Sequence, residues 1–237
     1  SHYDSIAGLS ARWLWDWKEL PAPGADDNAS GTSAVLEAAR ILSKYEFDFT
    51  IKFITFSGEE LGMFGSKHYA SDAWKLNRKI AGVLNLDMLG YDPDELDIDI
   101  VSNEDSQWLA NAIGYIHNQH NINLGVNKVV DPKLIYSDHS SFWKSGYSAV
   151  MVTEVADSKS DEFSPVNHSP DDMIDKINPD LLFNSSKLVI ATLASLADPI
   201  LAQSPNIDLA ITSLNLIQSS SKSITLVAGI GNLGNEN

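Results

Sequence analysis

His2, Asp27, Glu60, Asp87 and His168 are residue types that bind metal ions, and they fall in five short, separate segments, with Glu59 directly beside Glu60. Zinc takes imidazole nitrogen and carboxylate oxygen, and a catalytic zinc keeps one coordination position open for water or substrate. Two such ions sharing a carboxylate would stand about 3.5–4 Å apart and clamp both sides of a displacement. A two-zinc hydrolase is the chemistry such a set could serve.

Each segment also has a plainer explanation. Residues 23–31, Pro-Gly-Ala-Asp-Asp-Asn-Ala-Ser-Gly, form a small-residue turn before a helix and could point Asp27 inward; an aspartate there could equally complement the helix dipole. In residues 56–62, Phe-Ser-Gly-Glu-Glu-Leu-Gly, two adjacent carboxylates follow an apolar run. Enclosed together they need a cation or a proton. A zinc on Glu60 would leave Glu59 free to take a proton from water, whereas a solvated helix start would need neither. Gly58 and Gly62, flanking the pair at a strand-to-helix junction, weigh against the solvated alternative. His2 and Asp4 alternate along an extended segment, so Asp4 could accept the second imidazole N–H and fix its tautomer. His168 lies in a polar loop, where a lone histidine is ordinarily surface; only the other segments give it weight.

The frame for these segments is an α/β alternation over residues 1–198. Residues 32–45 read as a helix with Val35, Leu36, Ala39 and Leu42 on one face, and residues 50–57 as a buried strand rich in Ile and Phe. A helix follows Glu60, and residues 80–87 make a second apolar strand. Residues 96–101 alternate apolar residues with aspartate, as a strand with one face in water does. Trp108, Leu109, Ala112, Ile113 and Ile116 mark an amphipathic helix, residues 149–153 a strand, and residues 179–196 a closing helix with Pro179 in its first turn. Glu59, Glu60 and Asp87 fall just past strands, where ligand sites of open α/β sheets lie. Residues 199–206 read as a linker. In residues 207–237, Ile207, Leu209 and Ile211, then Ile224, Leu226, Ala228 and Ile230, alternate with polar or small residues, as at the start of an all-β module.

A chain of 237 residues suits one large domain, or one domain and the beginning of another. No apolar run reaches the length of a membrane span. The net charge of −16 argues against nucleic acid as a partner and favours cations, both metal ions and protonated amino termini. With no cysteine, neither a disulfide framework nor a thiolate zinc site can form. The abrupt start at Ser1 reads as a truncation point, so the lack of a signal segment says nothing about secretion.

Six motifs in order, His2-Tyr3-Asp4-Ser5, residues 23–31, residues 57–62, Asn85-Leu86-Asp87-Met88, Ser137-Asp138-His139 and His168-Ser169-Pro170-Asp171-Asp172, resemble the secreted zinc aminopeptidases of metallopeptidase family twenty-eight. The resemblance covers nearly all of residues 2–198 and implies a mixed, mainly parallel sheet sandwiched between helices. It implies two zinc ions bridged by Asp27, one completed by Glu60 and His168, the other by His2 and Asp87. Glu59 would be the general base and later the acid for the leaving amine, and Asp4 would orient His2. Asp138 matches a family position without a firm role, and His139 is read as structural. Substrates would be peptides with a free amino terminus; nothing marks the residues that recognise their side chains. One departure is Asn167, where several relatives carry a tyrosine that assists the oxyanion.

Residues 204–237 look like the start of a cell-adhesion-related bacterial β-sandwich domain, which implies a secreted or cell-surface protein, associated through this module with a surface or polymer. The enzymatic alternatives on the same fold are a carboxypeptidase and a single-zinc glutaminyl cyclase; the non-enzymatic one is a surface-binding protein. Retention of His2 and Asp87 favours two zincs, and intact Glu59 favours catalysis. Trp13, Trp15 and Trp17 could rim a substrate site, but packing against preceding polypeptide is favoured. Asp92, Asp94, Glu95, Asp97 and Asp99 read as a solvated edge rather than a calcium loop. His68, His117 and His120 read as surface or packing residues.

Overall fold

The computed structural model describes residues 1–93 and 95–200, and the backbone of residues 209–219 and 223–232. In chain order the elements are α1 (Trp13–Asp16), α2 (Gly31–Leu42), α3 (Phe64–Lys75), β1 (Val83–Leu86), β2 (Asp97–Ser102), α4 (Gln107–His120), β3 (Gly125–Val130), α5 (His139–Lys144), β4 (Ala149–Thr153), α6 (Pro179–Leu196), β5 (Leu209–Ser219) and β6 (Ser223–Asn232).

The Ala-Val-Met-Val-Thr run of β4 is buried at every position, as a strand covered on both faces must be. It lies inside a sheet of order β1-β4-β2-β3, parallel to β1 and antiparallel to β2, while β2 and β3 run parallel. Alternation along the strands sends Ile98, Ile100, Val150 and Val152 to one face, where they meet Leu109, Ile113 and Ile116 of α4 and Leu181 and Leu188 of α6. Ala149 faces the other side with Phe142 of α5 and Ala70 of α3, and Val101 and Met151 share that face. The sheet is therefore mixed, mainly parallel, and sandwiched between helices.

The closing helix α6 starts where Asn178 accepts hydrogen bonds from the Asp180 and Leu181 amides at 3.0 and 3.2 Å and Pro179 occupies the first turn. On α2 the buried stripe is Ala34, Ala38, Ile41 and Leu42, rotated from the expected face, and Leu36 is 62% exposed. Gly31 sets that rotation. A Cβ on it would lie 2.5 Å from the Leu86 carbonyl oxygen, so the helix meets the sheet end at its first turn, where Ala34 joins the main core, and Ala38, Ile41 and Leu42 on the same face pack with Ile190 of α6.

Residues 50–57 form no ladder, contrary to the strand expected there. Their pairing is a single parallel bridge between His2 and Phe56, in which the Tyr3 amide donates to the Phe56 carbonyl at 3.0 Å and the Phe56 amide to the Ser1 carbonyl at 2.9 Å. Strand β3 and helix α5 add to the elements expected from the sequence. The expected alternating strands of residues 207–237 correspond to an antiparallel pair, β5 with β6; residues 201–208, 220–222 and 233–237, with most of the linker, lie outside the described residues, as does Asp94 of the acidic cluster. Trp15 and Trp17 are exposed. No helix among the described residues is long and apolar enough to cross a membrane.

Ile100 is fully buried at the middle of β2, opposite Val152. Ile100→Ala should lower unfolding free energy by about 2–5 kcal/mol in chemical denaturation, because the cavity cannot close between two packed strands.

Candidate metal centre

The parallel strands β1 and β4 end side by side. Past the end of β1, the Asp87 amide donates to the Val152 carbonyl at 3.1 Å; past the end of β4, the Glu154 amide donates to the Met88 carbonyl at 2.8 Å. The turn Ala25–Ser30 is pinned to that edge by Asn28, whose Nδ2 donates to the Leu86 carbonyl at 2.9 Å and whose Oδ1 accepts from the Gly31 amide at 3.0 Å. Gly24 opens the turn with φ 58° in the left-handed region, and a Cβ there would collide with Ser5 and the Asp27 carbonyl. The Asp27–Asn28 peptide is cis.

On this frame His2, Asp27, Glu60, Asp87 and His168 come together, and Glu59 stands beside them. His2 Nε2 lies 3.2 Å from Asp27 Oδ1 and 3.2 Å from Asp87 Oδ1, and 4.0 Å from Glu59 Oε2. His168 Nε2 lies 2.9 Å from Asp27 Oδ2 and 2.8 Å from Glu60 Oε2. Asp27 thus offers one oxygen to each imidazole. Donor atoms of His2, Asp27 and Glu60 lie within 4.8 Å of one another.

The supporting shell differs from expectation at Asp4. His2 Nδ1 is 3.0 Å from the backbone carbonyl of Asp4, which fixes the tautomer, while the Asp4 carboxylate is 3.7 Å away. That carboxylate instead accepts the amides of Glu59 and Glu60, each at 3.3 Å, and so holds the strand-to-helix junction. Ser137 donates to Asp87 Oδ2 and accepts from Asn85 Nδ2, placing the sequence motif around Asp138 against this ligand. Asp138 is buried in the same region. His139 is structural: burial lowers its pKa to about 4, Nε2 meets the Leu134 carbonyl at 2.8 Å, and its ring packs edge-on against Trp143.

Groups that sequence reasoning missed complete the frame. Asp172 accepts the Asp26 and Asp27 amides at 2.9 and 3.1 Å. Asp26 accepts the Gly90 amide at 2.8 Å and Glu154 the Tyr91 amide at 2.7 Å. Asp26 and Glu154 also bond to each other, and burial raises both, Asp26 to about 7. With both ionised, Asp26 Oδ2 and Glu154 Oε1 would have no donor; a shared proton satisfies both.

Burial alone would lower both imidazole pKa values, but hydrogen bonds to Asp27 and Asp87 raise His2 to about 12, and those to Asp27 and Glu60 raise His168 to about 10. Burial would raise Asp27, yet bonds from His168 and His2 bring it below the usual carboxylate range. Burial and the Asp87 charge push Glu59 up to about 9, and burial raises Glu60. Two protonated imidazoles thus supply the positive charge that a metal ion would otherwise bring. The donor set fits zinc: imidazole nitrogens and carboxylate oxygens converge, and Glu60 Oε1 is buried without a donor. Zinc must displace the imidazole protons. Titrating zinc into the apoprotein near pH 7 should release protons, those of the two imidazoles among them, with affinity rising from pH 6 to pH 8; calorimetry in buffers of different ionisation enthalpy would read this, and proton-neutral binding would contradict it.

Comparison with known proteins places this geometry. The model of Peptidase family M28 matches residues 1–193. A probable leucine aminopeptidase of Arthroderma otae is 31% identical over 205 residues, covering 83% of this chain and 53% of the relative. The crystal structure of the Legionella pneumophila LapA aminopeptidase is 30% identical with a TM-score of 0.64, over 74% of this chain and 48% of that one. The structure of BSAP, a zinc aminopeptidase from Bacillus subtilis, is 28% identical with a TM-score of 0.64, over 74% of this chain and 43% of that one. This chain therefore spans about half the length of these three proteins or less. It belongs to peptidase family M28.

Proposed function

We propose that this chain holds the catalytic centre of a two-zinc aminopeptidase, with Asp27 shared between the ions, His2 and Asp87 on one side and Glu60 and His168 on the other. The observation that carries the reading is the division of the Asp27 carboxylate between the two imidazoles, with Glu59 alongside. Bound zinc supplies the Lewis acidity that lowers the pKa of a water and polarises a peptide carbonyl.

The chain's own residues do the rest. Glu59 is enclosed with Asp87 and Asp138, its Oε2 4.0 Å from His2 Nε2, which places it to take a proton from the attacking water and return it to the leaving amine once bound zinc offsets the neighbouring carboxylates. The Asp4 carboxylate fixes the backbone of Glu59 and Glu60, so that base and ligand stay in register. A free α-amine would be held by a metal ion and by the surrounding carboxylates, so a peptide with an unblocked amino terminus would be favoured over one with a blocked terminus. Its first residue would be apolar, as the name of the Arthroderma relative supports. Leu61 beside Glu60, and Ile135 and Tyr136 beside Ser137, are exposed apolar side chains that flank the ligands.

The parent protein would be secreted or on the cell surface, with residues 207–237 opening a β-sandwich module that associates with a surface or polymer; the alternating residues of β5 and β6 support this reading. A panel of free and N-acetylated aminoacyl anilides tests the activity. The free-amine substrates alone should be cleaved, and Glu59→Gln should lower turnover roughly 10²–10⁴-fold while still binding two zincs. Equal cleavage of acetylated substrates would contradict the aminopeptidase reading. One zinc with cyclisation of amino-terminal glutamine would replace it with a cyclase.

A further inference from the structure

Asp27 receives a third contact besides the two imidazoles. Asn167 Nδ2 lies 2.7 Å from Asp27 Oδ2, the oxygen that His168 Nε2 meets at 2.9 Å, and 3.5 Å from Met88 Sδ. Two consecutive residues thus aim at one oxygen across 140 positions of sequence. Their divergent side chains can do so because His168 takes a left-handed backbone, φ 52°. Asn167 is 7% exposed, and its amide is spent on Asp27 rather than turned toward solvent.

The backbone of Asp27 is already fixed, its amide held by Asp172. What remains free is rotation of its carboxylate about the Cα–Cβ and Cβ–Cγ bonds. The two imidazoles cannot set that rotation once they bind metal, because their nitrogens then point at the ions. Among the described residues, Asn167 is the one donor to Asp27 that is not itself a candidate ligand. Its amide does not titrate, so the bond is available with or without metal and at any ordinary pH.

We propose that Asn167 is a positioning residue that presets the shared carboxylate, so that Oδ1 faces His2 and Oδ2 faces His168 before metal arrives. The inference rests on the two-zinc reading above. It also assigns no substrate contact to this position, so transition-state charge on the substrate must be met by other groups.

The test is zinc affinity, measured by competition with a chromogenic chelator, in wild type, Asn167→Leu and Asn167→Gln, with the melting temperature of each metal-free form. Leucine keeps the branched shape, with methyl groups in place of the amide oxygen and nitrogen, and removes the donor, and affinity should fall about 10–100-fold. Glutamine should recover part of the loss, and excess zinc should restore most of the leucine variant's kcat. Should the leucine variant not fold, Asn167→Ala removes the same donor with less bulk. Zinc affinity within twofold of wild type, with a lower metal-free melting temperature, would reduce Asn167 to a packing residue and overturn the proposal. Unchanged affinity with a lasting loss of kcat at excess zinc would overturn it in favour of a substrate contact. Wild type binding fewer than two zincs would refute the underlying two-zinc reading instead, and the unmutated protein alone reveals that.

Discussion

Four carboxylates, Asp27, Glu59, Glu60 and Asp87, are packed together with Asp138 close by, and this crowding governs the rest of the molecule. Like charges at such spacing in a medium of low dielectric cannot all ionise unless cations join them. In the metal-free chain two imidazoles take on that duty by holding protons well above neutrality. The same electrostatic demand is what makes the cluster a strong site for divalent ions: each proton that leaves can be replaced by twice its charge.

Crowding of this kind survives only on a rigid frame, and the fold supplies one from its strand ends. Parallel neighbours β1 and β4 bring Asp87 and Glu154 to one edge, and the turn Ala25–Ser30 is held there by Asn28. Backbone amides then anchor the carboxylates: those of Asp26 and Asp27 on Asp172, of Glu59 and Glu60 on Asp4, and of Gly90 and Tyr91 on Asp26 and Glu154. Acidic residues therefore play two roles here. Some present oxygen to the centre, and others fix the loops that carry those ligands.

The residues gathered at this centre could be read from the sequence because each sits in a short motif: Asp27, Glu60 and Asp87 lie at strand or helix ends, where side-chain type and local turn chemistry carry the information, while His168 lies in a polar loop and draws its weight from the other segments. The closing helix α6 was legible for the same reason, from its proline and its apolar spacing. Long-range partners left no such trace. Asn167 and Asp27 are far apart in sequence, as are Glu154 and Asp26, and neither pair has a local pattern that announces it. The rotation of α2 was missed because it depends on Gly31 pressing against the Leu86 backbone, a tertiary contact that overrides the apolar pattern. The strand expected at residues 50–57 has the right composition but only one bridge, since extended structure becomes a ladder only where a partner runs alongside. Asp4 was placed correctly beside His2, yet its carboxylate and carbonyl exchange roles, a distinction that residue identity does not encode.

The central claim is that the Asp27 carboxylate divides this centre into two metal sites. Anomalous scattering at the zinc edge from crystals of the zinc-loaded protein tests it most directly. The account predicts two peaks on either side of Asp27, one held by His2 and Asp87 and the other by Glu60 and His168. A single peak among His2, Asp27 and Glu60, with Asp87 and His168 left unbound, would contradict it.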